Sequence, residues 1–129
     1  MKPAAAMFYI TGAMVFIQLV TGGLRVFGFI DEGTHIATGL ITFVLAVIAL
    51  IAVAASKPRY RPALGNAAGV VLLVVIQGLL GFAFLDTNNF AIIMVHYVVA
   101  LVIFAAAIGL VFNAMRMDRT QPAASAAKQ

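Results

Sequence analysis

His35 and His96 are the only histidines in the chain, and each heads the same residue frame. From His35 the chain runs to Leu40, Phe43 and Ala46, and from His96 to Leu101, Phe104 and Ala107, so one H-x4-L-x2-F-x2-A pattern occurs twice. A neutral imidazole keeps a ring lone pair for a metal and a second nitrogen for an orienting hydrogen bond. Two copies of one ligand-bearing segment suggest a single shared ligand. Glu32 precedes His35 by one helical turn, a place from which a carboxylate can move a proton. Arg25 lies further upstream and offers a fork of donors to a carboxylate.

Composition restricts what can position these residues. With 64% hydrophobic and 9% charged residues, the chain lacks the polar surface of a soluble domain, which implies an integral membrane protein. Four apolar stretches, 7–29, 33–55, 63–85 and 90–115, are long enough to cross a bilayer, which takes about 20 residues each. They leave no room for a soluble domain, so any chemistry sits within the bundle or at its rims. The first stretch exceeds a signal-peptide core and lacks a small-residue cleavage pattern, so it is read as a retained helix. The expected organisation is a bundle over 1–119 and a disordered cytoplasmic tail over 120–129, which is Ala-rich and polar.

Lys2, Lys57, Arg59, Arg61, Arg116 and Arg119 flank one side of these spans, and Asp31, Glu32 and Asp86 the other. The positive-inside tendency then puts both termini in the cytoplasm and both histidines near the outer face of the cell membrane. Topology and anionic lipid account for the basic pI, with no nucleic acid required. The absence of cysteine excludes disulfides, thiolate metal sites and thiol redox chemistry. Pro58 and Pro62 are expected to break the middle connection, and residues 86–89 to form a polar turn with a cap for the fourth helix.

Helical spacing gathers the polar residues into stripes. They are Thr11, Gln18, Thr21, Gly22 and Arg25 on the first helix, and Glu32, His35, Thr38, Gly39 and Thr42 on the second. Asn66, Gln77 and Gly81 follow on the third, and His96, Ala100, Ile103 and Ala107 on the fourth. The odd helices repeat as well, since Ile17-Gln18 with Gly22 matches Ile76-Gln77 with Gly81. The expected fold is therefore an all-α four-transmembrane-helix bundle made of a duplicated two-helix hairpin. Short connections make sequential helices antiparallel neighbours, so His35 and His96 should face each other across the bundle.

Heme fits this arrangement, because two imidazoles from facing helices fill both axial positions of its iron. His35 and His96 are the expected iron ligands. Gly22 and Gly81 would admit the macrocycle, and Arg25 would pair with a propionate. Gln18 and Gln77 are either heme contacts or interhelical hydrogen bonds. A non-heme metal held by Glu32, His35 and His96 is an alternative that explains neither the glycines nor the repeat.

The run 76–110, with Gln77, Leu79-Leu80-Gly81, Asn89, Ile92, Met94, His96, Leu101 and Phe104-Ala105, resembles a half-unit of the heme A synthase family. That family is built from four-helix heme-binding bundles, two in full-length members and one in some archaeal members. Glu32-Gly33-Thr34-His35 is similar to the family's E-x-x-H element, whose carboxylate is implicated in catalysis. The resemblance implies oxidation of a heme O methyl group to the formyl group of heme A, with Glu32 catalytic. It also implies a membrane setting and a respiratory oxidase as partner or destination.

The chain departs from that pattern in two places. Ile36 stands where the family often has Arg after the His, and the cysteine pair many members carry between the first two helices is missing. A single bundle must either form a homo-oligomer or do less. The second expectation is accordingly a b-type cytochrome, an electron carrier or heme-bearing subunit of a respiratory complex.

Overall fold

The computed structural model describes residues 2–56 and 60–119. The chain forms α1 (Pro3–Val26), α2 (Glu32–Ala55), α3 (Arg61–Thr87) and α4 (Phe90–Arg119). All four are long and apolar enough to span a membrane. Lys57, Pro58, Arg59 and the tail over 120–129 lie outside the described residues.

Local chemistry sets the helix ends, and it moves several of them from where hydropathy put them. α1 stops at Val26 rather than at residue 29. Gly28 takes φ +74°, its N–H donates to the Arg25 carbonyl and that of Phe29 to the Leu24 carbonyl. This is the paired reverse bonding that ends a helix at a left-handed glycine. Asp31 then caps α2, its carboxylate accepting from the Thr34 N–H at 2.7 Å and the Thr34 hydroxyl at 3.0 Å. The cap's own backbone is extended, as this position requires.

Pro62 opens α3 instead of breaking the connection. It lies in the first turn, where a missing N–H costs no hydrogen bond. Asp86 and Thr87 extend α3 instead of forming a turn, and the Thr87 hydroxyl donates back to the Ala83 carbonyl at 2.7 Å. The reversal is confined to Asn88, in the left-handed region at φ 49°, and Asn89. The Asn89 side chain accepts from the Ala91 N–H at 2.9 Å, which provides the expected cap for α4.

Each helix packs on two others: α1 on α2 and α4, and α3 on α2 and α4. α2 and α4 are therefore diagonal. Thr11 reaches the Leu45 carbonyl, Gln18 reaches His35 and Arg25 reaches Glu32, so α1 and α2 run antiparallel.

The two ends of the bundle differ in packing. At the end where α1 begins and α4 ends, Ala4, Ala5, Ala46, Ala49, Ala63, Ala67 and Ala114 interlock with Phe8, Val53, Val70 and Leu110 in one buried cluster. Small side chains let membrane helices approach closely. Toward the other end the only further buried cluster among the described residues is Val15, Ile103 and Ala107. Beyond it the bundle opens around the histidines.

Candidate functional site

Gln18, Thr21 and Gly22 of α1 seat His35, and Gly81 of α3 lies against His96. His35 and His96 come together from α2 and α4 with ring centroids 6.5 Å apart and planes at 66°. Gly22 backs the first ring, where a Cβ would lie 3.2 Å from His35 Cε1, and Gly81 backs the second, where a Cβ would lie 3.4 Å from His96 Cε1. At Gly39 a Cβ would stand 3.0 Å from the Gln18 amide nitrogen. Gly23 and Gly78 face nothing described within 4 Å, so their proximity to the site carries no packing role.

A polar network holds His35. The Thr21 hydroxyl lies 3.3 Å from His35 Nδ1 and 3.1 Å from the Gln18 carbonyl. Donating its proton to that carbonyl leaves its oxygen to accept Nδ1–H, which frees Nε2 as a lone-pair donor. The Gln18 side-chain amide donates to the His35 carbonyl at 3.1 Å, and its oxygen accepts from the Thr38 hydroxyl at 2.6 Å. Its nitrogen also lies 3.3 and 3.4 Å from the two ring nitrogens, at the long end of hydrogen-bond range. Gln18 thus bridges α1 and α2.

His96 has no such network. Its Nδ1 is shielded from solvent yet meets no hydrogen-bond partner among the described residues, and the same is true of Gln77 Oε1. The Gln77 backbone carbonyl faces the ring without meeting hydrogen-bond geometry at Nδ1. Buried polar groups without partners are uncommon and mark places where a water or ligand belongs.

A cavity of about 300 Å³ joins these residues, lined by Gln18, Gly22, Arg25, His35, Gln77 and His96 among others. Most of its wall comes from α2 and α3, the adjacent pair that touches least. Leu40, Phe43, Leu79 and Phe82 line it while remaining exposed, so it opens sideways between these two helices onto the apolar flank. At its mouth Arg25 and Glu32 form an ion pair at 2.6 Å, with side chains 28% and 46% exposed. A separate pocket of about 50 Å³ touches Gln18, Thr42 and Gln77 deeper in the bundle.

Gln18, Gly22, Arg25, Glu32, His35, Gln77, Gly81 and His96 therefore line one cavity, though Arg25 is already paired with Glu32, whereas the stripe residues Thr11 and Asn66 lie away from it and bond the Leu45 and Ala106 carbonyls. The non-heme alternative fails on geometry, because among the described residues no three His, Cys, Asp or Glu side chains gather closely enough to hold a metal ion. Thr21 and Thr38 were visible only as stripe members, and Tyr97, whose ring lies 6.2 Å from that of His96, gave no sequence signal.

The donor set is compatible with an axially ligated iron porphyrin. Two neutral imidazoles from diagonal helices, with ring centroids 6.5 Å apart beside a mostly apolar cavity, are nitrogen donors that such a group could take. The apolar walls agree with that occupant, whereas Gly22 and Gly81 seat the histidine rings rather than admitting a macrocycle as the sequence suggested. Compared with known proteins, the chain matches no family model, no curated protein and no solved structure.

Proposed function

We propose that this chain is a membrane heme protein in which His35 and His96 hold iron between α2 and α4, and that it acts as a minimal heme A synthase. The observation that supports the heme reading is the pair of glycine-backed imidazoles with ring centroids 6.5 Å apart beside a mostly apolar cavity. Heme, when bound, would supply the redox chemistry and, as heme O, the methyl group; its oxidation to the formyl takes the oxygen atom from water and releases four protons and four electrons, the electrons passing to an external acceptor such as a membrane quinone. Arg25, which lines the cavity and pairs with Glu32, would take a propionate on exchanging Glu32 for it. The sideways opening leaves room for a ring edge larger than the cavity and faces the phase in which an apolar tetrapyrrole dissolves. Equivalent environments support a duplicated hairpin: Leu40 and Leu101 are 58% and 59% exposed, and Ala46 and Ala107 are each 2% exposed.

Glu32, released from Arg25, is the base within reach of the cavity. The resemblance of 32–35 to the E-x-x-H element supports this role. Two histidines that both remain bound to iron favour the second reading, an electron-carrying cytochrome, because six-coordinate iron has no open position.

The test is to express the protein in membranes that supply heme O and to chromatograph the extracted pigment. A synthase yields heme A with the native chain and none with Glu32→Gln. Unchanged heme with a reversible b-type spectrum in both chains gives the carrier, and colourless protein rejects heme altogether.

A further inference from the structure

The two halves of the site are chemically unequal, although their frames match. Under the proposed repeat, Thr21 of α1 corresponds to Leu80 of α3, and Thr38 of α2 to Val99 of α4. Arg25 corresponds to Phe84 and Glu32 to Ile93. Every polar side chain surrounding the first histidine, Gln18 aside, is thus apolar around the second.

The contacts follow the sequence. His35 has Thr21 at Nδ1 and its backbone carbonyl tied to Gln18, which is itself held by Thr38. His96 Nδ1 has no partner among the described residues. Its ring is backed by Gly81 and flanked by Tyr97, and among the described residues the polar group facing it is the Gln77 backbone carbonyl, which does not reach hydrogen-bond geometry at Nδ1.

A hydrogen bond at the outer nitrogen fixes the tautomer and orientation of a ligating histidine and raises its basicity, and losing it typically weakens the metal bond about 10–100-fold. From this inequality, and resting on the heme reading above, we infer that His35 is the fixed ligand and His96 the exchangeable one. The iron face toward α4 is then the one that opens to a small exogenous ligand, and Gln18, Thr21 and Thr38 are positioning residues acting through His35. An opening face is what a turnover enzyme needs and a pure electron carrier does not.

The test uses the full-length chain loaded with heme b in detergent, with carbon monoxide added to the reduced protein. The native chain should bind carbon monoxide. His96→Ala should retain pigment and bind the gas faster, whereas His35→Ala should lose at least about tenfold in heme retention. Thr21→Val should weaken retention about 10–100-fold and raise the midpoint potential, with Thr21→Ser restoring both. Thr21→Val and Thr21→Ser decide the matter if either alanine variant fails to fold. Equal pigment loss in both alanine variants, gas binding in His35→Ala but not His96→Ala, or no response to Thr21→Val overturns the assignment. A native chain that takes up no heme instead overturns the reading on which it rests.

Discussion

Two adjacent glycines in α1 separate packing from mere proximity. A side-chain carbon at Gly22 would stand 3.2 Å from His35 Cε1, whereas at Gly23 it would meet nothing described within 4 Å. Gly22→Val must therefore push the imidazole out of line. Gly23→Ala adds only a better helix former, worth about 0.5–1 kcal/mol in a helix interior. The expected outcome is loss of most heme absorbance per protein in Gly22→Val, with helical content retained, and native absorbance with an equal or higher melting temperature in Gly23→Ala. Equal absorbance in the two variants would remove Gly22 from the site. This difference between neighbours could not be read from the sequence, since both glycines lie in the outer half of one helix and only the seating of His35 tells them apart. The histidine pair itself was legible, because the two imidazoles are the only ones in the chain and stand at the same place in a repeated frame. The Arg25–Glu32 pair was not, because it closes across a turn whose shape depends on Gly28.

At the scale of the helix, the start of α2 couples acid chemistry to the site. Asp31 is held below the ordinary carboxylate value of 3.8, first by the Thr34 N–H and then by the Thr34 hydroxyl, both of which favour the ionised form. A carboxyl whose folded pKa is depressed contributes stability above its unfolded value and loses it as pH falls through the folded one. The first turn of α2 should hold from neutral pH down to about 4 and loosen below that, visible as faster amide exchange at Thr34 relative to the α2 interior. Asp31→Asn keeps the capping oxygen without the titration and should abolish the pH step, which also separates it from protonation of neighbouring Glu32. Asp31→Ala should exchange fast at every pH. Persistence of the step in Asp31→Asn would assign it elsewhere. The four helices were legible from apolar length alone, but their ends were not. A hydropathy window averages over the single residues, Gly28, Asp31 and Asn88, that stop or start a helix by hydrogen bonding.

The whole bundle is polar along its axis in charge as well as in packing. Lys2, Arg61, Arg116 and Arg119, with Asp118, lie at the alanine-packed end where α1 begins and α4 ends, while Asp31, Glu32 and Asp86, with Arg25, lie at the open end with the cavity. Translocation disfavours flanking Lys and Arg, so the packed end should stay in the cytoplasm and the open end should reach the outer face. His35 follows the start of α2 by three residues and His96 that of α4 by six. At 1.5 Å per residue the site then lies about 5–9 Å below the outer rim, shallow enough for Arg25 and Glu32 to reach water while the sideways opening meets lipid. The chain has no cysteine, so single introduced thiols report sidedness without background. Thr87→Cys should react with a membrane-impermeant maleimide in intact cells, and Ala55→Cys only after the membrane is broken. Both residues are exposed at helix ends, so neither depends on unfolding to react. The opposite labelling pattern would place the histidines on the cytoplasmic side, and with it any exchange of electrons or protons through Arg25 and Glu32.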